Sequence, residues 1–420
     1  MAERQRLNDP ERGQDLGLWF GISAVLGLAA LAARQLPLAL LLLVPALALG
    51  AAFIWQRFGL RRARLSRRIE PARAFPGDTI QVSLVLENGK PLPLPWVDLG
   101  DRFPAGLDYG ELELEPLPEG EDLRFSSLIS ARAYERIEQR CLVRCARRGL
   151  YRFGPARLAT GDPFGFSLTR RELTETTELL VYPRVLPVSH FGLPAAQPFG
   201  EAPPARLVPD DPLRFLGIRP YIPGDSPRQI HWRATARTNR VQSKTFERAA
   251  TAALALALDL AGDYLPQDER ARQDREWAIS AAASLAADNL DGQREVGLLS
   301  NAPLLGGSRY LRIPPSRQRA QLTHILELLA QLIPYAPRPI APLLLDEARR
   351  FAWGTTICVI TVAPGDGLIE ALWRLQRSGF GITLLIVGTT TFDIPRQYGF
   401  TVYRWQADEH VVEPTKLQLV

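Results

Sequence analysis

Two apolar runs near the start of this chain limit what the rest of it can be. Leu16 to Ala33 is eighteen residues without a charge, and Leu36 to Trp55 is twenty more. At about 1.5 Å of rise per residue, each run is roughly 27–30 Å long as a helix, the thickness of a bilayer's hydrocarbon core. The second run holds eight leucines. At about −0.5 kcal/mol each they favour insertion by roughly 4 kcal/mol, more than the local cost of Pro37 and Pro45. Only Arg34 and Gln35 separate the runs, so a transmembrane α-hairpin over 16–33 and 36–55 is expected. A cleaved signal sequence has one short apolar core after a basic start. Here two runs follow a tail of mixed sign (Arg4, Arg6 and Arg12 against Glu3, Asp9, Glu11 and Asp15), which speaks against cleavage.

Arginine placement sets the orientation. Arg57, Arg61, Arg62, Arg64, Arg67 and Arg68 follow the second run within twelve residues that contain no acid, whereas the loop between the runs holds one arginine. The positive-inside tendency then puts both chain ends and the soluble domains in the cytoplasm of a multi-pass protein of the bacterial inner membrane. The six arginines are also placed to lie on anionic lipid headgroups, at about 1 kcal/mol per side chain. The whole chain is only +5, less than this one cluster, so its basic character is local and no nucleic-acid reading follows for the rest. Three cysteines (Cys141, Cys145, Cys358) without a CxxC pair read as free thiols in a reducing compartment.

The tail, the two helices and the Arg-rich segment occupy 1–68, and a β-sandwich is expected over 69–190. Phe75-Pro76-Gly77-Asp78 reads as a turn into Thr79–Glu87, where Ile80, Val82, Leu84 and Leu86 share one face. Leu123–Ser130, Arg140–Arg144 and Gly149–Phe153 are further strand candidates. Period-two alternation broken by Gly, Pro and Asn about every ten residues argues for an antiparallel, Ig-like sandwich. Residues 187–215 are rich in Pro, Ala and Gly and read as a linker, within a linker and signature segment over 191–248. Strands and helices then alternate over 249–405. Thr251–Leu260, Glu295–Ser300, Thr355–Thr361, Ile382–Val387 and Thr401–Trp405 read as strands. Asp268–Asn289, Arg317–Leu332 and Gly367–Ser378 read as helices. That texture implies a Rossmann-like α/β domain with a parallel sheet wound on both faces, followed by a tail over 406–420.

The most distinctive stretch is RPYIPGDSPRQIHWRATAR: Arg219, Tyr221, Pro223-Gly224-Asp225, Arg228, Ile230-His231-Trp232-Arg233 and Ala236-Arg237. It resembles the pattern R-x-Y-x-P-G-D-x-x-R-x-I-x-W-x-x-S/T-A-R of the bacterial family called domain of unknown function 58 (DUF58). GDPFG at Gly161–Gly165 and VYPRV at Val181–Val185 fit the same resemblance, as does the order of parts. The resemblance implies a C-terminal domain like a von Willebrand factor A fold, and a MoxR-type AAA+ ATPase as partner. It implies no established reaction. Read physically, Pro223-Gly224-Asp225 is a turn, and Trp232 is a natural anchor against the sheet. Seven basic residues lie between Arg219 and Arg248 against Asp225 and Glu247. They could pair internally, dock an acidic protein, or bind nucleic acid; the lack of interleaved stacking aromatics speaks against the last.

In A-type domains the first strand usually ends in D-x-S-x-S, which with a distant Thr and a second Asp holds a divalent cation. The corresponding stretch here is Asp259-Leu260-Ala261-Gly262-Asp263, with Ala261 lacking a side-chain oxygen; Thr361-Val362-Ala363 ends the later strand, and its nearest acid is Asp366. So no cofactor is expected, and Asp259 and Asp263 are the candidates if magnesium binds at all. No GxxxxGK[ST] loop, HExxH or GxSxG occurs, and the four histidines are dispersed. The resulting expectation is a membrane-anchored, non-enzymatic adaptor. The alternative is a metal-dependent ligand-binding protein or enzyme using Asp259 and Asp263 with Asp366.

Overall fold

The computed structural model describes residues 16–118, 120–187, 210–222, 227–248, 253–262, 269–352, 354–388, 399–405 and 417–419. They form two compact units, one ending at Tyr182 and the other beginning at Pro183.

The first unit opens with α1 (Leu16–Ala32) and α2 (Leu36–Phe58). Among the described residues, α2 is the one helix long and apolar enough to cross a membrane; α1 is apolar but shorter. The two pack closely because glycine lines their contact. A Cβ at Gly27 would lie 2.9 Å from the Leu43 side chain, and one at Gly50 would lie 2.9 Å from the Phe20 ring. Their outward side chains, Leu18, Val25, Leu41 and Leu47 among them, are exposed.

Eleven strands follow among the described residues of this unit. These are β1 (Ala63–Glu70), β2 (Arg73–Ala74), β3 (Thr79–Asn88), β4 (Leu94–Phe103), β5 (Leu114–Pro116) and β6 (Leu123–Ala131). They continue with β7 (Arg136–Arg144), β8 (Gly149–Phe153), β9 (Ala156–Gly161), β10 (Leu168–Leu173) and β11 (Thr177–Val181). The strands make three sheets, ordered β1-β3-β7, β10-β9-β4-β6-β5 and β2-β11-β8, antiparallel except for β2 with β11. All three close on one core. Ile80, Val82, Leu84 and Leu86 point into it as their alternation predicts, against Leu99, Phe103, Phe153 and Leu179. Phe103 stacks on Phe125 and meets Phe153 edge-on, at centroid distances of 5.3 and 5.2 Å.

The Arg-rich segment departs from expectation. Its second half is β1 itself, so the boundary expected at residue 69 falls inside a strand. Arg67 is not available to lipid headgroups: its side chain is 5% exposed and paired with Asp101, which is 0% exposed. Alternation explains the split, because along β1 Arg64 and Arg68 face outward while Arg67 faces inward.

The second unit begins, after Pro187, with an antiparallel hairpin of β12 (Asp210–Pro220) and β13 (Gln242–Arg248), with α3 (Trp232–Thr238) between them. Part of the expected linker, from Asp210 onward, is therefore strand. Then come β14 (Ala253–Asp259), α4 (Glu269–Asp291), β15 (Glu295–Ser300), β16 (Leu311–Ser316), α5 (Ala320–Gln331) and α6 (Ala341–Ala348). The unit ends with β17 (Thr356–Thr361), α7 (Asp366–Arg377), β18 (Gly381–Val387), β19 (Thr401–Trp405) and β20 (Leu417–Leu419). The sheet order is β16-β15-β14-β17-β18-β19-β20. Its five inner strands are parallel and its two outer ones antiparallel. Every position of β14 is buried, as required of a strand covered on both faces. Ala278, Ala281, Ala282 and Ala286 of α4 are all fully buried. α6 and α7 supply Leu344, Leu368, Leu372 and Leu375 to a cluster with Ile357, Val359 and Leu384.

Candidate functional site

The signature segment is a short helix held between two strands by its own polar groups. His231 is the N-cap of α3: its Nδ1 accepts from the Ala234 amide at 3.0 Å, and its own amide donates to the Gln242 carbonyl at 2.8 Å. Thr235 Oγ1 donates to the His231 carbonyl at 3.1 Å and accepts from the Gln242 amide at 3.0 Å. At the other end Asn239 adopts the left-handed conformation (φ 53°) that closes a helix. His231 therefore has a capping role here.

Arg219 lies in β12 opposite Ser243, and Tyr221 donates its amide to the Val241 carbonyl at 2.9 Å. Arg228 lies in a 3-10 turn, Pro227–Gln229, and its side chain is outside the described residues. Pro223, Gly224 and Asp225 also lie outside them. Trp232 overturns its expected role as an anchor. It is the first residue of α3 and is 70% exposed, turned to solvent rather than against the sheet. Arg233 and Arg237 on the same helix, and Arg240 just after it, are exposed as well. Ile218, Ile222 and Val241 of the same segment are exposed apolar residues. The segment thus presents one aromatic and several guanidinium groups from a capped, hydrogen-bonded scaffold.

The second candidate lies at the carboxyl ends of the parallel strands. Asp259, 4% exposed, ends β14. Its Oδ1 accepts from the Ala261 amide at 3.1 Å and from Asn301 Nδ2 at 2.6 Å, and its Oδ2 accepts from Thr361 Oγ1 at 3.2 Å. The Asn301 amide orientation is set because its Oδ1 accepts from the Leu260 amide at 3.0 Å while Nδ2 also donates to the Arg338 carbonyl at 2.8 Å. Burial pushes the Asp259 carboxyl up from its ordinary value, against the pull of these three donors.

This arrangement ties three strand ends together. A magnesium ion wants several oxygen ligands, and the groups facing Asp259 offer hydrogens instead. Asp366 is exposed in the first turn of α7, with no hydrogen bond or ion pair to Asp259 among the described residues. Asp263 lies outside the described residues. No group of three or more His, Cys, Asp or Glu side chains gathers among the described residues. Among the described residues the site thus gathers one carboxylate and one hydroxyl, fewer oxygens than a divalent cation takes. Sequence reasoning missed Asn301; the available signal was an amide directly after a fully buried strand end at Ser300.

Comparison with known proteins bears on the signature. The family model described as "Protein of unknown function DUF58" matches residues 217–358. The "Uncharacterized protein YeaD" of Bacillus subtilis (strain 168) is 25% identical over 209 residues, covering 48% of this chain and 49% of that protein. The chain thus spans about half the length of this curated relative. Among solved structures, the CARDB domain of the PF1109 protein from Pyrococcus furiosus is 15% identical, with a TM-score of 0.18, covering 28% of this chain and 93% of that one. A type II cohesin domain from the cellulosome of Acetivibrio cellulolyticus is 12% identical, with a TM-score of 0.20, covering 28% of this chain and 94% of that one. Scores this low leave the fold to be described by its own strand topology. The matched segment begins at Gly217 inside β12, takes in α3 and β13 and runs to Cys358 in the parallel sheet, so about a third of the chain is similar to the DUF58 family.

Proposed function

We propose that the chain is a membrane-anchored, non-enzymatic scaffold that presents its α/β unit to a protein partner, and that the partner is a MoxR-type AAA+ ATPase. α1 and α2 together form the anchor, a two-span hairpin with both chain ends and the soluble units in the cytoplasm. The first unit is read as an Ig-like sandwich and the second as a von Willebrand factor A-like domain. The parallel sheet with helices on both faces supports the second of these readings.

The observation that carries the proposal is the exposure of Trp232 on a rigid mount. Tryptophan and arginine are the residues that most often dominate the energetics of protein interfaces. A 70% exposed tryptophan beside Arg233 and Arg237 is what a docking point for an acidic partner surface needs. Truncating such a residue typically costs at least about 2 kcal/mol, close to a thirtyfold loss of affinity.

The test is purification of the tagged full-length chain from its native membranes in mild detergent, with and without a non-hydrolysable ATP analogue. The wild type is expected to bring down an AAA+ ATPase, and Trp232→Ala to reduce the yield at least tenfold. Recovery of no ATPase by the wild type in any nucleotide state would sink the proposal.

A further inference from the structure

The loop between β9 and β10 exposes two phenylalanines. Phe164 and Phe166 are 58% and 48% exposed, with ring centroids 6.1 Å apart. Rings held in water on a mobile tip would be unremarkable, but this loop is built to hold them. Asp162, fully buried, accepts from the Phe164 amide at 2.8 Å, the Ser167 amide at 2.5 Å and the Ser167 hydroxyl at 2.7 Å. No side chain could replace Gly161, where a Cβ would lie 2.6 Å from the Trp96 ring. The backbone that carries the two rings is therefore held by buried polar contacts.

The same end of the sheets is bonded to the apolar helix. Thr169 Oγ1 donates to the Gln56 carbonyl at 3.1 Å, and Ser167 Oγ, whose hydrogen goes to Asp162, lies 3.4 Å from the Ala52 carbonyl. Ala52 lies six residues before the end of α2 at Phe58, which is about 9 Å along the axis. A helix that crosses a bilayer places its last two turns at the boundary between hydrocarbon and headgroups. The Phe164–Phe166 loop is fastened beside those turns, at that depth. Tryptophan and tyrosine collect in this layer, and phenylalanine serves there on the buried face of interfacial helices. Arg61, whose guanidinium lies 5.2 Å from the Phe58 ring centroid, supplies positive charge at the same level.

We infer that Phe164 and Phe166 insert into the interfacial layer of a phospholipid bilayer, forming a second membrane contact alongside α2. The inference rests on the reading of α2 as a membrane anchor. The helical anchor fastens the attached sheets to the bilayer on one side only; an aromatic pair dipping into the lipid beside it adds a second point of contact.

The test uses the full-length chain in vesicles of phosphatidylcholine and phosphatidylglycerol. A fluorescent nitrobenzoxadiazole probe is attached at Phe164→Cys and, separately, at Phe166→Cys. Cys141, Cys145 and Cys358 are all buried, and unsubstituted protein taken through the labelling gives the background. Lipids carrying a nitroxide at acyl carbon 5 or carbon 12 then report depth. Quenching at both sites at least twofold stronger by the carbon-5 lipid is expected. Two reference sites frame the result. A probe at Leu47→Cys, 73% exposed midway along α2, should be quenched more by the carbon-12 lipid. A probe at Glu121→Cys, exposed in the turn at the far end of β6, should be quenched by neither. Quenching at Leu47 with none at 164 and 166 overturns the inference while leaving the anchor intact, and it would point to a protein partner for the two rings. No quenching at Leu47 overturns the anchor itself.

Discussion

Replacing Arg67 with methionine removes one member of an ion pair that water does not reach. The Arg67 Nε donates to Asp101 Oδ2 at 2.8 Å and its Nη2 to Oδ1, while Nη1 donates to the Phe153 carbonyl at 2.9 Å and to Thr177 Oγ1 at 3.3 Å. One side chain on β1 thus grips β4, β8 and β11, a residue on each of the other two sheets included. Methionine keeps most of the aliphatic stem, so the loss is electrostatic. A buried charge stripped of its partner costs about 3–5 kcal/mol, which at ~1.4 kcal/mol per decade is roughly a 10²- to 3 × 10³-fold change in a local opening equilibrium. Hydrogen exchange of peptides from β3 and β4, measured by mass spectrometry on the full chain in detergent micelles, reads that change directly. Arg68→Met is the control. Its partner Glu70 is 3.7 Å away and both side chains are about two-thirds exposed, so exchange should move by no more than about twofold. Adding Asp101→Leu to Arg67→Met should restore most of the protection, because an apolar pair of similar volume replaces a buried ion pair at little cost.

The pH dependence has a definite sign. Burial already pushes the Asp101 carboxyl above its ordinary value despite the Arg67 guanidinium, and removing that guanidinium raises it further. A carboxyl that takes up its proton in the fold at higher pH than in the unfolded chain gains stability as pH falls. The penalty of Arg67→Met should therefore shrink between pH 8 and pH 5. Protection within threefold of the wild type at pH 8, or a penalty that grows on acidification, would refute the reasoning.

Two further outcomes are expected. Asn301→Ala leaves the Asp259 carboxylate and the Leu260 amide each short of a buried partner; it should lower stability by about 2 kcal/mol, visible as a drop in Tm of several degrees in detergent. For Lys90, 5% exposed, burial first and the Arg171 charge second lower the ammonium from its ordinary 10.5 to about 8. Between those values the unfolded chain holds more protons than the fold, so this group's contribution to stability rises with pH across that window. Lys90→Met should flatten the rise in Tm between pH 8 and 10 relative to the wild type, and an unchanged slope would contradict the assignment.

The buried strands were legible because their patterns admit one reading. Alternation placed Ile80, Val82, Leu84 and Leu86 on the core face of β3, and the unbroken apolar run 253–258 announced a strand covered on both sides. Thr401–Trp405 falls where its β-branched and aromatic residues put it. β16 and α6, among the elements that went unread, lack such a period. β16 is LRIPPS, whose two prolines fit only an edge strand, and α6 is eight residues with a proline at its second position. Arg67 was misread because charge density along a sequence does not say which arginine faces inward; that depends on the phase of β1, which only its pairing with β3 sets. Trp232 was misread for the converse reason: size favours burial, but a seven-residue helix capped at both ends has little surface to hide a ring against.

Only Gly59 to Arg62 separate the end of α2 from the start of β1, and the last turns of the helix are hydrogen-bonded to the sheets. The sheets are thus an extension of the helix rather than a load on a tether. On the reading of α2 as a membrane span, a lean of ~20°, a common response to bilayer thickness, carries them with it. A point about 30 Å out along the helix axis then moves about 10 Å sideways. On the membrane-anchor reading, bilayer thickness is in this way geared into the lateral reach of the sheets.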